Sequence, residues 1–173
     1  MIQRGRGMAD ELLSPIRTVP ITAVQLAASQ AFSSGFSAPH LDLIARISSE
    51  AWFRAGQHLW RQGEVHETCY LILKGRLTLE IYIPMHGPIG VDTIEPGEFL
   101  GGTGLIDSQK WNFDARALTD VHAIAIDCAK LGQMIKADHE LGYEVYRCLA
   151  QVLDDRLGKA RRRLLELIVP AHV

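Results

Sequence analysis

Arg76-Leu77-Thr78-Leu79-Glu80-Ile81-Tyr82-Ile83 alternates strictly, with every odd position apolar. A period of two over such a run marks a strand with one buried face. Just upstream, Thr68 to Leu73 is apolar enough to be a largely buried strand. Gly56, Gly63, Gly75, Gly87, Gly90, Gly97 and Gly101 punctuate the surrounding chain at short intervals. Short β-like runs between closely spaced turns predict a small antiparallel barrel or roll.

The period changes on both sides. Pro39 can open a helix, and Leu41, Ile44, Ile47 and Ala51 then recur at spacings of three and four; this predicts a short amphipathic helix. Towards the C-terminus, Gly142, Tyr146, Leu149, Leu153, Leu157, Ala160, Leu164 and Leu167 form a stripe at the same spacings. That predicts one long helix from about His139 to Ile168, capped by Asp138 and stopped by Pro170. At 1.5 Å per residue it spans roughly 45 Å, more than a small roll can cover. The uncovered stripe predicts a homodimer through Leu149, Leu153, Leu157 and Leu164. Packing within one chain is the alternative.

The expected fold is therefore mainly β with flanking α, an antiparallel β-roll (a jelly-roll-like double-stranded β-helix) between a short and a long helix. Residues 38–173 carry it. Residues 1–37, with Pro15, Pro20 and five serines around a mildly apolar stretch from Ile21 to Phe32, are expected to be a flexible or loosely packed appendage.

Composition narrows the function. The chain has 173 residues, 47% hydrophobic and 22% charged, enough for one real core. It has no run of about 18 apolar residues to cross a bilayer. Arg4 and Arg6 precede a stretch broken by Asp10, Glu11 and Arg17, unlike a secretory signal. Cys69, Cys128 and Cys148 are far apart and outside any CxxC, so they are read as core hydrophobes in a reducing, cytoplasmic setting, without a disulfide. Net charge is −2, although Arg156, Lys159, Arg161, Arg162 and Arg163 crowd one short stretch. They read as cations closing a helix at the negative end of its dipole, with a loose phosphate-binding patch as the alternative.

Catalytic patterns are missing. HExxH, CxxC, GxSxG and the Walker A run do not occur, and none of the seven histidines pairs at i, i+4. The histidines are read as surface or strand-edge residues, and neither an enzyme nor a metal site is expected.

Three ordered motifs then carry a resemblance. Phe53-Arg54-Ala55-Gly56-Gln57-His58-Leu59-Trp60-Arg61-Gln62-Gly63-Glu64 is similar to "F-x-x-G-x-x-L-x-x-x-G-E". Tyr70 to Gly75 is similar to "Y-x-I-x-x-G", and Pro96-Gly97-Glu98-Phe99-Leu100-Gly101 to "P-G-E-x-x-G". With Asp120 to Asp127 as the last strand, residues 40–168 resemble the cyclic nucleotide-binding domain family, in the manner of the catabolite activator-type effector domain. The resemblance implies a short helical turn after "P-G-E-x-x-G" whose backbone N–H groups hold a cyclic phosphate. It further implies a Glu for the ribose 2′-OH and an Arg, followed by Ser or Thr, for the phosphate charge.

This chain departs from both side-chain positions. The Glu position falls on Gly102, the Arg position on Trp111 and the Ser/Thr position on Asn112; a one-residue slip would substitute Lys110. Parity points Trp111, Phe113, Ala115 and Ala117 inward and leaves Asp114 and Arg116 as an outward charge pair. The candidate pocket is Gly101, Gly102, Thr103, Gly104, Leu105, Trp111, Asn112 and Phe113. Losing two charge-assisted contacts weakens binding by roughly 10²- to 10⁴-fold. The expectation is a stand-alone regulatory sensor module with altered or weakened specificity, for a weakly held cyclic nucleotide or another small anion. The alternative is a dimeric scaffold or partner-binding protein that has lost its small ligand. Activators of the resembled type carry a helix-turn-helix after the long helix, and the five residues after Ile168 are too few for one; no sequence-specific DNA binding is expected.

Overall fold

The computed structural model describes residues 16–27, 30–65, 68–105 and 110–168. Its strands are β1 (Ile16–Pro20), β2 (Ser48–Phe53), β3 (His58–Trp60), β4 (Thr68–Lys74), β5 (Leu77–Ile83), β6 (Gly87–Ile94), β7 (Phe99–Leu100), β8 (Asp114–Ala117) and β9 (Val121–Asp127). They pair antiparallel into two sheets, ordered β1-β2-β9-β4-β7 and β3-β8-β5-β6. The helices are α1 (Ala23–Ala27), α2 (Gln30–Ser33), α3 (Ala38–Arg46), α4 (Cys128–Ala137) and α5 (His139–Ile168). This is the β-roll with a long C-terminal helix that the alternation and the glycines predict.

Two cores sit on opposite faces of the larger sheet. Between the sheets, Tyr70 and Ile72 of β4 meet Leu77, Leu79, Ile94 and Leu100. Ala115, Ala117, Ala123 and Ala125 are all buried in this core, where small side chains let the sheets close on each other. On the outer face, Leu71, Ile124 and Ile126 pack under Ile44, Leu131 and Leu141 of the helices. Strand β4 is thus covered on both faces, which is why its sequence is a continuous apolar run. The turn into β5 needs glycine. Gly75 has φ 85°, and a Cβ there would stand 2.1 Å from the Asp120 carbonyl oxygen.

Helix α5 runs over the predicted span. Asp138 caps it, with Oδ1 accepting from the N–H groups of Glu140 (2.9 Å) and Leu141 (3.0 Å). Pro170, the expected stop, lies outside the described residues. Helix α4 is an element that the apolar spacing does not mark; Asp127 opens it by accepting the Lys130 N–H at 2.9 Å.

Several expectations are corrected. Residues 16–27 and 30–37 pack on the roll rather than hanging loose from it: β1 pairs with β2, and Ile21, Leu26 and Phe32 are buried in the outer core. Phe32 stacks on Phe99 at 5.3 Å. The stretch is too short to show a helical period, yet its apolar residues cover sheet that the longer helices leave bare. Residues 1–15 lie outside the described residues.

Strand β5 is not half exposed, because Thr78 and Glu80 are buried as well. Arg116 does not pair with Asp114. Its Nε lies 3.1 and 3.2 Å from the two carboxylate oxygens of Glu80, across the β5–β8 ladder. Asp114 instead turns to Arg61 at 3.5 Å and accepts the Gln62 N–H at 2.7 Å.

Cys69 and Cys128 are disulfide-bonded, with Cα atoms 6.0 Å apart, and Cys148 is the buried free thiol. Their separation of 59 residues hides the contact, but the β4–β9 register places Cys69 opposite Ile126, two residues before Cys128.

His40 is buried rather than at a surface or strand edge. Its Nδ1 lies 2.6 Å from Glu144 Oε2 and its Nε2 3.4 Å from Asp138 Oδ2, tying α3 to the start of α5.

Candidate functional site

The site lies where three segments converge on the open end of the roll. Strand β7 leads into Gly101, at φ 99°, and then into a single 3-10 turn over Gly102–Leu105. Opposite it, Lys110 to Phe113 run into β8. Trp111 is pinned there by its backbone: its N–H donates to the Glu64 carbonyl at 3.0 Å, and its carbonyl accepts the Gly63 N–H at 2.8 Å. Its ring lies flat on Trp60, with centroids 3.7 Å apart and planes 13° from parallel. The Trp60 indole N–H is satisfied by the Phe113 carbonyl at 2.9 Å. The third wall is α5, through Leu149, Val152, Leu153 and Arg156.

These walls enclose a cavity of about 100 Å³. Gly101, Gly102, Trp111, Asn112 and Phe113 of the candidate pocket line it together, with Lys110 at the rim. Leu105 does not, since it packs into the outer core. Thr103 and Gly104 belong to the turn, and the Thr103 side chain lies outside the described residues.

A Cβ on Gly102 would stand 1.8 Å from Leu149 Cδ2, so α5 occupies the place where a side chain at this position would go. Leu149 is 5% exposed and belongs to the molecule's own core; its expected place in a dimer contact is thereby corrected. Leu153, Leu157 and Leu164, at 45%, 48% and 58%, do face outward.

The basic stretch of α5 has a different task from the one its sequence suggests. Lys159 pairs with Glu98, and Arg163 lies 3.5 Å from Asp92 while donating to the Val91 carbonyl. The inner cations of the helix therefore hold it against β6 and the turn before β7, and Arg161 and Arg162 stay exposed. Arg156 donates to the Phe99 carbonyl at 2.9 Å. Burial lowers its pKa from the usual guanidinium range, opposed by the charges of Asp92 and Glu98. Arg156 and Trp60 are functional candidates that the motif reading passed over. Arg156 was legible as the residue seven after Leu149, on the same helix face.

A nucleotide tests poorly against this geometry. Typical ligand pockets reach about 300–1,000 Å³, and this cavity is about 100 Å³. No acceptor stands at position 102 for a ribose hydroxyl, and an indole stands at position 111. A larger cleft of about 210 Å³ lies on the other side of Arg156, lined by Phe32, Ser34, Glu98 and Asp155 among others. Among the described residues no group of His, Cys, Asp and Glu is placed to hold a metal ion, and no helix is long and apolar enough to cross a membrane.

Comparison with known proteins gives a consistent picture. The family profile of the cyclic nucleotide-binding domain matches residues 50–138. A protein of Geobacter metallireducens GS-15 assigned to the cyclic nucleotide-binding proteins is similar at 26% identity and TM-score 0.66, over 73% of this chain and 91% of that one. A cyclic nucleotide-binding domain from Methylobacillus flagellatus KT is similar at 16% identity and TM-score 0.74, over 92% and 93%. A cAMP-bound mutant regulatory subunit of a cAMP-independent protein kinase A from Trypanosoma brucei is similar at 22% identity and TM-score 0.63, over 75% and 45%. Comparison with curated proteins returned no match.

Proposed function

Because this chain belongs to the cyclic nucleotide-binding domain family, we propose that it is a regulatory sensor module whose ligand site has been refitted for something other than a cyclic nucleotide. The observation that carries this reading is Leu149 seated on Gly102, at the position where the family resemblance implies a ribose-binding Glu. The Trp60–Trp111 stack supports it, since an indole offers an anion none of the charge of a guanidinium. Cyclic AMP and cyclic GMP are weak ligands in this reading, and a small anion is the better one. The module regulates and does not catalyse. It does not read DNA sequence, because Lys159 and Arg163 of its basic stretch are already committed to Glu98 and Asp92.

Calorimetric titration with cyclic AMP and cyclic GMP tests this. Dissociation constants above about 10 μM are expected, and submicromolar binding of either refutes it. A Gly102→Glu/Trp111→Arg/Leu149→Ala variant, which restores both side chains and clears their space, is expected to bind cyclic AMP more tightly than the parent.

The exposed leucines favour a second role alongside the first. Leu153, Leu157, Leu164 and Leu165 are 45–60% exposed on one helix, and an apolar helix face left in water is a surface awaiting a partner. A second copy of the same helix is the partner proposed.

A further inference from the structure

Three cations on the inner face of α5 approach the roll, and Lys159 and Arg163 each have a carboxylate. Among the described residues Arg156 has none within ion-pair distance, although the charges of Asp92 and Glu98 reach it, and its one hydrogen bond there is to the Phe99 carbonyl. A desolvated guanidinium with most of its donors unspent is costly unless an anion completes it. Arg156 lines two cavities, and their charges differ. The larger one holds Glu98 and Asp155, which repel an anion. The smaller one has no carboxylate among its described lining residues.

Apart from Lys110 and Asn112 at its rim and the backbone of the turn, the rest of that smaller cavity is apolar, with Trp60, Trp111, Phe113 and Leu149 among its lining. Its volume, about 100 Å³, is smaller than the engineered cavity of about 150 Å³ that holds benzene, so at most one ring enters it and a nucleotide does not. We propose that this cavity binds a small aromatic monocarboxylate, with the ring against Trp111 and Phe113 and the carboxylate on Arg156. This rests on the reading of the chain as a small-ligand sensor and names the ligand class.

The test uses phenylacetate as the probe, with its uncharged analogue 2-phenylethanol, inorganic phosphate and cyclic AMP beside it, followed by calorimetry and thermal shift on the whole chain. Phenylacetate is expected to bind and raise the melting temperature, and 2-phenylethanol to bind about 10- to 100-fold more weakly. Arg156→Gln should weaken phenylacetate by a similar factor and leave 2-phenylethanol unchanged, with partial recovery in Arg156→Lys. Should Arg156→Gln not fold, Asn112→Asp puts a negative charge on the exposed cavity rim without changing size and should also weaken phenylacetate. Equal binding of acid and alcohol, or indifference to these substitutions, overturns the proposal. Binding of phosphate or weak binding of cyclic AMP without phenylacetate sinks the ligand class and leaves the sensor reading standing. If none of the probes binds, both fall.

Discussion

Leu149 Cδ2 lies 1.8 Å from the point where a Cβ on Gly102 would stand, so α5 and the turn after β7 meet with nothing between them. Gly102→Ala should therefore destabilise the fold by about 1–3 kcal/mol through overpacking. Leu149→Ala should cost about 2–5 kcal/mol through the cavity it leaves. The double variant should cost clearly less than the sum, because each change makes room for the other. Urea denaturation of the four proteins reads the coupling, and strict additivity would contradict the contact.

The Cys69–Cys128 bond closes a loop spanning 59 residues. Chain entropy for such a loop is worth about 4 kcal/mol. Denaturation with and without a phosphine reductant should differ by an amount of that order. Alkylation in denaturant without reductant should label one cysteine, Cys148; with reductant it should label three. In the native state Cys148 should stay unlabelled, because burial pushes its pKa up to about 11. Three reactive thiols before reduction would rule the bond out.

Two histidines give opposite pH dependences. The hydrogen bond that His40 donates to Glu144, with the charges of Glu144 and Asp138, raises the pKa of His40 above 6.5 against the effect of burial. Its stabilisation is complete below about pH 6.5 and is lost as pH rises through the folded-state value. Burial lowers the pKa of His122, only partly opposed by Glu50. Its contribution is complete above about pH 6.5 and falls as pH drops towards its folded-state value. Stability measured from pH 5 to 8.5 should lose its alkaline decline in His40→Gln and lose part of its acid decline in His122→Gln. A His40→Gln profile parallel to the parent would refute the first assignment.

Leu153 and Leu157 are about half exposed on α5. Light scattering at micromolar concentration should give twice the chain mass, and Leu153→Asp/Leu157→Asp should return it to one. A parent protein of single-chain mass, or a double variant of unchanged mass, removes the helix as the dimer contact. Leu149→Asp is expected to unfold the chain rather than split a dimer, since that residue is internal.

The parts of this molecule that were readable in the sequence are those governed by local rules. The 3.6-residue stripe placed α5, the alternation of 76–83 placed β5, and Gly75 marked a turn that no other residue allows. The unreadable parts depend on contacts between distant segments. Glu80 looks like a solvent-facing member of an alternating strand until Arg116 is laid beside it. Cys69 and Cys128 share no motif and meet only through the β4–β9 register. Leu149 belongs to the same stripe as Leu153 and Leu157, and only the position of the turn at Gly102 separates an inward leucine from outward ones. Arg156 is legible only through its place on the Leu149 face, because four other cations in the same stretch point to a helix end.

The face-to-face indoles of Trp60 and Trp111 also make the cavity wall an optical instrument. Chromophores stacked this closely couple their strongest transition dipoles, and the coupling appears in far-ultraviolet circular dichroism as a paired signal that is lost if either ring turns away. The third indole, Trp52, is stacked on His122 at 3.8 Å on another part of the larger sheet, so its emission follows the protonation of that imidazole instead. Dichroism and fluorescence thus watch two different places in the unlabelled protein, one at the mouth of the roll and one on its back.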